Sequence, residues 1–295
     1  MTKKKTKKKT WKFERPDYWG LIVRPDWAMC EQGRRQSPIN IDPAKLLYDP
    51  HLRPLHIDKH AGHGFLTNNG HNMIFRVGNT SHPHINISGG PLSYKYRVQE
   101  LRVHFGMKDT HGSEHTVNGK AFPLEVQIVG YNSDLYANMS QATHLPQGLV
   151  AISLLAQVGK TRNQELTLLI ENITEIIYKD QRVPASYVSV SEMLPDTQQY
   201  ITYEGSTTTP GCQETVTWII INKPIYVTTQ QLNTLRGLHQ GTIQHPQAHL
   251  GNNYRPPQPL HHRPVRANIE FNLKQGRKCP SMKPLTYYKD TAYEM

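Results

Sequence analysis

The chain has 295 residues, 37% of them apolar and 19% charged, enough for one large domain with a sizeable core. Its longest apolar runs, "LVAISLLA" and "WIII", fall well short of the roughly 20 residues that a membrane-spanning helix needs, so no transmembrane segment is expected. Six of the net +11 charges sit in the opening "MTKKKTKKKT", leaving +5 on residues 11–295. Nothing there interleaves basic and aromatic residues as a nucleic-acid reader would.

Along the chain, residues 1–15 read as a disordered basic tail, because a run of like charges repels itself and buries no apolar surface. Residues 16–275 read as one domain and 276–295 as a polar C-terminal tail, with no internal repeat or long linker. The lysines are followed by "TWKFERPDYWG" and not by the apolar stretch of a secretory signal, which on its face favours the cytosol. Four N-glycosylation sequons, at Asn79, Asn86, Asn138 and Asn172, point the other way. The three cysteines, Cys30, Cys212 and Cys279, are either unrelated thiols or, in an oxidising compartment, one pair and a leftover.

The next segments alternate. "NMIFRV" and "ELRVHFG" read as strands, the latter placing Leu101, Val103 and Phe105 on one face and Glu100, Arg102 and His104 on the other. "LEVQIV" sets Leu124, Val126 and Ile128 against Glu125 and Gln127. Taken alone, such polar faces are solvent faces. "LVAISLLAQV", "LTLLIENI" and the β-branched "ETVTWIIINKPIYVT" continue the series of strands. A helix is expected around Ser189 to Leu194, and another over "TTQQLNTLRGLH" with a threonine cap. The expectation is a mainly β single domain, with a large twisted, mostly antiparallel sheet and a few short helices.

Five blocks in order carry a resemblance: "GRRQSPINI", "NNGH", "GSEHTVNG", "EGSTTTPGCQETVTWII" and "NYRPPQPLHHR". From about Trp19 to Leu273 the chain resembles the α-carbonic anhydrases. That resemblance implies a metal cavity in which three histidines, two on one strand and one on its neighbour, hold Zn²⁺ whose bound water ionises near pH 7. Here the corresponding positions are Arg102, His104 and Gln127. Arginine has no lone pair to offer and stays protonated. Its charge about 4 Å from a divalent ion is unfavourable by roughly 8 kcal/mol at an effective dielectric near 20. Gln127 offers only a weak carbonyl donor, so neither zinc nor CO₂ hydration is expected.

The resemblance also places His71 at a proton-shuttle position, Glu114 and Thr208 at a carboxylate–hydroxyl pair, Thr209 beside them, and Glu125 behind the ligands, where it is expected to help neutralise Arg102. Leu21 and Thr207 replace residues that active relatives use near the cavity. His111, His115, His261 and His262 show no ligand spacing and read as surface or structural histidines. The Arg/His/Gln set, with "NISGGP", "VQIVGYN" and "GRKCP", resembles the secreted neural branch of carbonic anhydrase-related proteins, which lack hydratase activity and bind neurexins. This implies an extracellular protein-binding module without a cofactor, a Cys30–Cys212 disulfide, and Cys279 left exposed for an intermolecular bond. The rival expectations are a working zinc hydratase or residual esterase, and a cytosolic scaffold held at membranes by the lysine arm.

Overall fold

The computed structural model describes residues 27–78 and 83–269. Ten strands form the main path of one sheet: β1 Leu47–Tyr48, β2 Ala61–Asn68, β3 Met73–Val77, β4 Tyr96–Phe105, β5 Leu124–Asn132, β6 Leu149–Val158, β7 Arg182–Ser189, β8 Tyr200–Gly205, β9 Val216–Ile221 and β10 Arg266–Ala267. Their order is β7-β2-β3-β4-β5-β6-β9-β8-β10-β1, and three short strands off this path bring the sheet to 13. The pairs β6/β9 and β10/β1 are parallel, whereas the pairs from β7 across to β6 are antiparallel.

Alternation explains why these segments are strands, and it also orients them. Leu101, Val103 and Phe105 of β4 and Leu124, Val126 and Ile128 of β5 enter the larger core. The opposite face is not solvated. His104 is 1% exposed, Glu125 0% and Gln127 1%, and on that side Val129, Tyr131, Ala151, Leu155 and Trp218 build a second core. A carboxylate buried so completely has to be fully hydrogen-bonded, which predicts a polar network inside the molecule.

One expected strand is a helix. "LTLLIENI" folds as helix Gln164–Ile170 followed by a 3₁₀ turn, Ile173–Ile176. Leu166, Leu169, Ile170 and Ile173 sit three and four apart and are buried, while Leu168 is exposed, the stripe of a helix packed on a sheet. Asn163 caps it by accepting from Leu166 N–H. The two helices expected from the sequence lie where expected: Val190–Met193 is capped by Ser189, and Thr229–Arg236 starts at a capping box of Thr228 and Gln231. Among the described residues no helix is long and apolar enough to cross a membrane.

Cys30 and Cys212 form a disulfide across 182 residues of sequence. In the chain-entropy account such a closure stabilises by about 5 kcal/mol, an upper figure. Arg255 knits this corner to the sheet interior. Its guanidinium donates to Cys30 O, Ser37 O and Gln36 Oε1, and Gln36 in turn donates to Cys212 O. Burial holds Arg255 down to about 10, against the pull of Glu114. Cys279, Leu21, Asn79 and both tails lie outside the described residues.

Candidate functional site

Strands β4 and β5 bring the three ligand positions together. Arg102 and Gln127 are directly paired across the antiparallel ladder, and His104 follows two residues along, opposite Glu125. Residues directly opposite or two apart on one face are within side-chain reach, so the resemblance and the register agree on a common point. Arg102 and Gln127, however, are engaged elsewhere or unsuited to a metal.

Arg102 is held by its own strand. Its Nε and Nη2 donate to Glu100 Oε2 at 3.0 and 2.8 Å, and Arg76 Nε donates to the other oxygen, Oε1, at 2.9 Å. Burial works to raise the Glu100 carboxyl, but the two guanidiniums outweigh it and keep Glu100 below the ordinary carboxylate range. The partner of Arg102 is therefore Glu100. Glu125, expected in that role, is spent on a different set of donors.

Gln127 donates through one nitrogen to two acids, Glu114 Oε2 at 2.7 Å and Glu125 Oε1 at 3.0 Å. An amide is suited to this, since its NH₂ carries two hydrogens. Glu125 also accepts from the backbone N–H of Glu114 and His115, from Ser153 Oγ, and from His115 Nδ1 at 2.9 Å. Burial would raise its carboxyl, yet His115 and the remaining donors reverse that and bring it to about 2. His115 hands its other nitrogen to Tyr203 Oη at 2.7 Å, and Tyr203 donates to Ser37 Oγ at 3.0 Å. Burial pushes the Tyr203 phenol well above its usual range, so it stays a neutral donor.

His104 is placed for ligation on one side only. Its Nδ1 lies 2.8 Å from the Asn253 carbonyl oxygen, and since a carbonyl only accepts, the proton sits on Nδ1 and the lone pair on Nε2. That Nε2 is buried without a hydrogen-bond partner, and so is Thr208 Oγ1. The expected Glu114–Thr208 pair is not formed. Glu114 Oε1 accepts from Arg255 N–H at 2.9 Å and Oε2 from Gln127, so Gln127 takes the carboxylate the hydroxyl was expected to use. His71 is exposed, and its backbone N–H donates to Asn69 Oδ1. Thr209 O accepts from Cys212 N–H, and Thr207 Oγ1 from Gln213 N–H.

The donor set does not suit a tetrahedral metal. One imidazole nitrogen, one amide oxygen and a guanidinium without a lone pair cannot replace three neutral imidazoles. Among the described residues no three His, Cys, Asp or Glu side chains gather as a metal-ligating group. His111, His261 and His262 are exposed, in keeping with surface residues, whereas His115 is structural. Two participants escaped the sequence reading. Glu100 shows itself only through strand parity with Arg102, and Arg255 carries no local signal for its burial.

The sequons differ in setting. Asn138 and Asn172 are exposed. Asn86 lies in strand Asn86–Gly89 with its Nδ2 donating to Asp58 Oδ2 at 2.8 Å.

A large mixed sheet with few short helices, with positions 102, 104 and 127 on one face of two adjacent strands, fits a carbonic anhydrase fold. The family model described as eukaryotic-type carbonic anhydrase matches residues 14–269, and the chain belongs to that family. It is 43% identical over 274 residues to "Putative carbonic anhydrase-like protein 2" of Caenorhabditis elegans, covering 90% of this chain and 81% of that one. It is also 34% identical over 325 residues to "Putative carbonic anhydrase-like protein 1" of the same organism, covering 88% and 89%.

Proposed function

We propose that this family member carries no zinc and no hydratase activity, and works as an extracellular module that binds a cell-surface adhesion protein of the neurexin kind. The observation that carries the first half is Gln127. Its amide nitrogen closes a hydrogen-bonded pair of buried carboxylates, so the floor of the cavity is complete without a cation, while Arg102 repels one. Family members named carbonic anhydrase-like are consistent with this. The extracellular half draws on the Cys30–Cys212 disulfide, a bond of oxidising compartments, on the exposed sequons at Asn138 and Asn172, and on the resemblance to the secreted neural branch. In that setting Cys279 is the thiol available for an intermolecular bond.

The test has two arms. Protein purified in zinc buffer and dialysed is expected to hold no stoichiometric zinc and to leave CO₂ hydration at the uncatalysed rate; metal or turnover in the unmodified chain overturns the non-enzyme reading. Protein recovered from cells is expected to carry glycans and to bind a purified neurexin ectodomain. Unglycosylated, cytosolic protein overturns the extracellular reading.

A further inference from the structure

Two exposed aromatic residues, Phe65 and Tyr187, lie at the β7 edge of the sheet, and the strand register ties that edge to the altered ligand positions. Pro184 of β7, Phe65 of β2, Arg76 of β3 and Glu100 of β4 are successive cross-strand partners, so they form one row on one face. The neighbouring row runs Arg182, Thr67, Ile74, Arg102 and Gln127. The residue that displaces a ligand imidazole is thus joined through Glu100 to Arg76, and Arg76, 48% exposed, leads out onto the edge.

At that edge Phe65 is 43% exposed, with the Arg182 guanidinium 5.1 Å from its ring centroid. Tyr187 is 70% exposed and stands edge-on to His63, ring centroids 5.0 Å apart. Its backbone has φ 62°, a left-handed conformation that costs a bulky side chain of order 1 kcal/mol or more. The cause is local, because the β7/β2 register shifts between Ala185 and Val188. Bulges at sheet edges re-aim side chains, and this one leaves Tyr187 exposed against His63, two residues along β2 from Phe65. Exposing the apolar area of a tyrosine is unfavourable by itself, as is the strain, so this edge carries both costs.

We infer that this edge, built from Phe65, Tyr187, Arg182 and Arg76, is a docking surface for an acidic segment of a partner protein. The inference rests on reading the chain as a protein-binding module and adds the place and the chemistry. Three arginines, Arg182, Arg76 and Arg102, share these two rows with one acid, Glu100, which Arg76 and Arg102 already divide between them. Charge complementarity therefore calls for carboxylates, and Phe65 and Tyr187 supply the amphipathic anchors on which interface cores depend. Docking proceeds through side chains and not by strand addition, since Pro184 has no N–H to donate and the bulge breaks the ladder an added strand would follow.

The probe is a soluble glutamate–tyrosine copolymer, with polylysine and heparin as comparators, measured by fluorescence anisotropy on the full chain. All proteins carry the six lysines of residues 3–9 as glutamines, so that the basic arm does not dominate. Saturable binding of the copolymer is expected, with Tyr187→Gly and Arg182→Gln each weakening it at least about tenfold, as hot-spot residues do. Glycine adopts the positive φ without strain, so the first variant keeps the fold; Phe65→Thr is the second probe of the apolar part. Leu47→Ser, at the far edge, is expected to change nothing. Circular dichroism checks each fold. Copolymer binding indifferent to all three variants overturns the inference, and so does absence of binding or a preference for heparin, which reassigns the surface to a sulfated glycan. Binding of a neurexin ectodomain that survives all three variants also overturns it while leaving the module reading intact.

Discussion

At the scale of single residues, Gln127 is the most consequential of the three ligand positions. It stands at a position that the resemblance assigns to a ligand histidine, and its hydrogen bonds turn two buried acids into a satisfied pair. Gln127→Glu is nearly isosteric and removes both donors. It also places a third carboxylate against Glu114 and Glu125. Breaking a buried charged network in this way costs about 3–5 kcal/mol. Urea unfolding at neutral pH is expected to show a loss of that size, smaller in acid, where the added carboxyl protonates. Gln127→Met, which forfeits the bonds without adding charge, is expected to fall between.

Glu125 makes a second prediction at this scale. Its folded value of about 2 lies below the roughly 4.3 of an unfolded glutamate. The folded state therefore holds the ionised form more tightly. The resulting stability is fully present above the unfolded value and is lost as pH falls through the folded one. Stability is expected to drop steeply between pH about 4 and about 2, on the order of 3 kcal/mol from this group. Glu125→Gln is expected to be less stable at pH 7 and to have a flatter profile over that window. Chemical unfolding at a series of pH values checks both.

At the scale of elements, the sequence is legible where periodicity is strict and local. The alternation of β4 and β5, and the threonine cap before Thr229–Arg236, follow from spacing alone. The helix Gln164–Ile170 was obscured because "LTLLIENI" is a short apolar run, for which strand and helix periods compete. Its telling signals lie at and beyond its margins, in Asn163 as cap and in the buried spacing from Leu166 to Ile173. The site was legible in part. The ligand positions and Glu114 could be placed by resemblance, but whether Glu114 would meet Thr208 or Gln127 depends on the packing of Arg255 and of the loop after β8, which no local pattern encodes. The cap offers a direct measure of local energetics. Thr228 Oγ1 accepts from Gln231 N–H, and Gln231 Oε1 answers from Thr228 N–H. Thr228→Ala is expected to cost about 1 kcal/mol and Thr228→Ser little, read as shifts in the urea midpoint.

At the scale of the whole molecule, the open issue is whether the sheet still holds a metal-binding triangle that only its side chains have abandoned. Positions 102 and 127 are directly paired and 104 lies on the same face, geometry set by the β4/β5 backbone and by the apolar cores on both sides, none of which depends on Arg102 or Gln127. His104 already directs its proton toward Asn253 O at 2.8 Å, the outer-shell arrangement that fixes a ligand's tautomer and leaves Nε2 with its lone pair. Replacing Arg102 removes the repelling cation, and Glu100 keeps Arg76 as its partner. A histidine at 127 retains an N–H to give one of the two acids that Gln127 now bridges. The double substitution Arg102→His and Gln127→His is therefore expected to bind zinc stoichiometrically after dialysis, with either single change falling short. Hydration is expected to recover only in part, because Thr208 Oγ1 has no partner and the carboxylate meant to orient it is committed to Arg255 N–H and the residue at 127. Metal content by mass spectrometry, with circular dichroism to confirm the fold, decides the matter. A folded double variant without zinc means that the three positions no longer converge, and that the loss of the site extends beyond its ligands into the backbone.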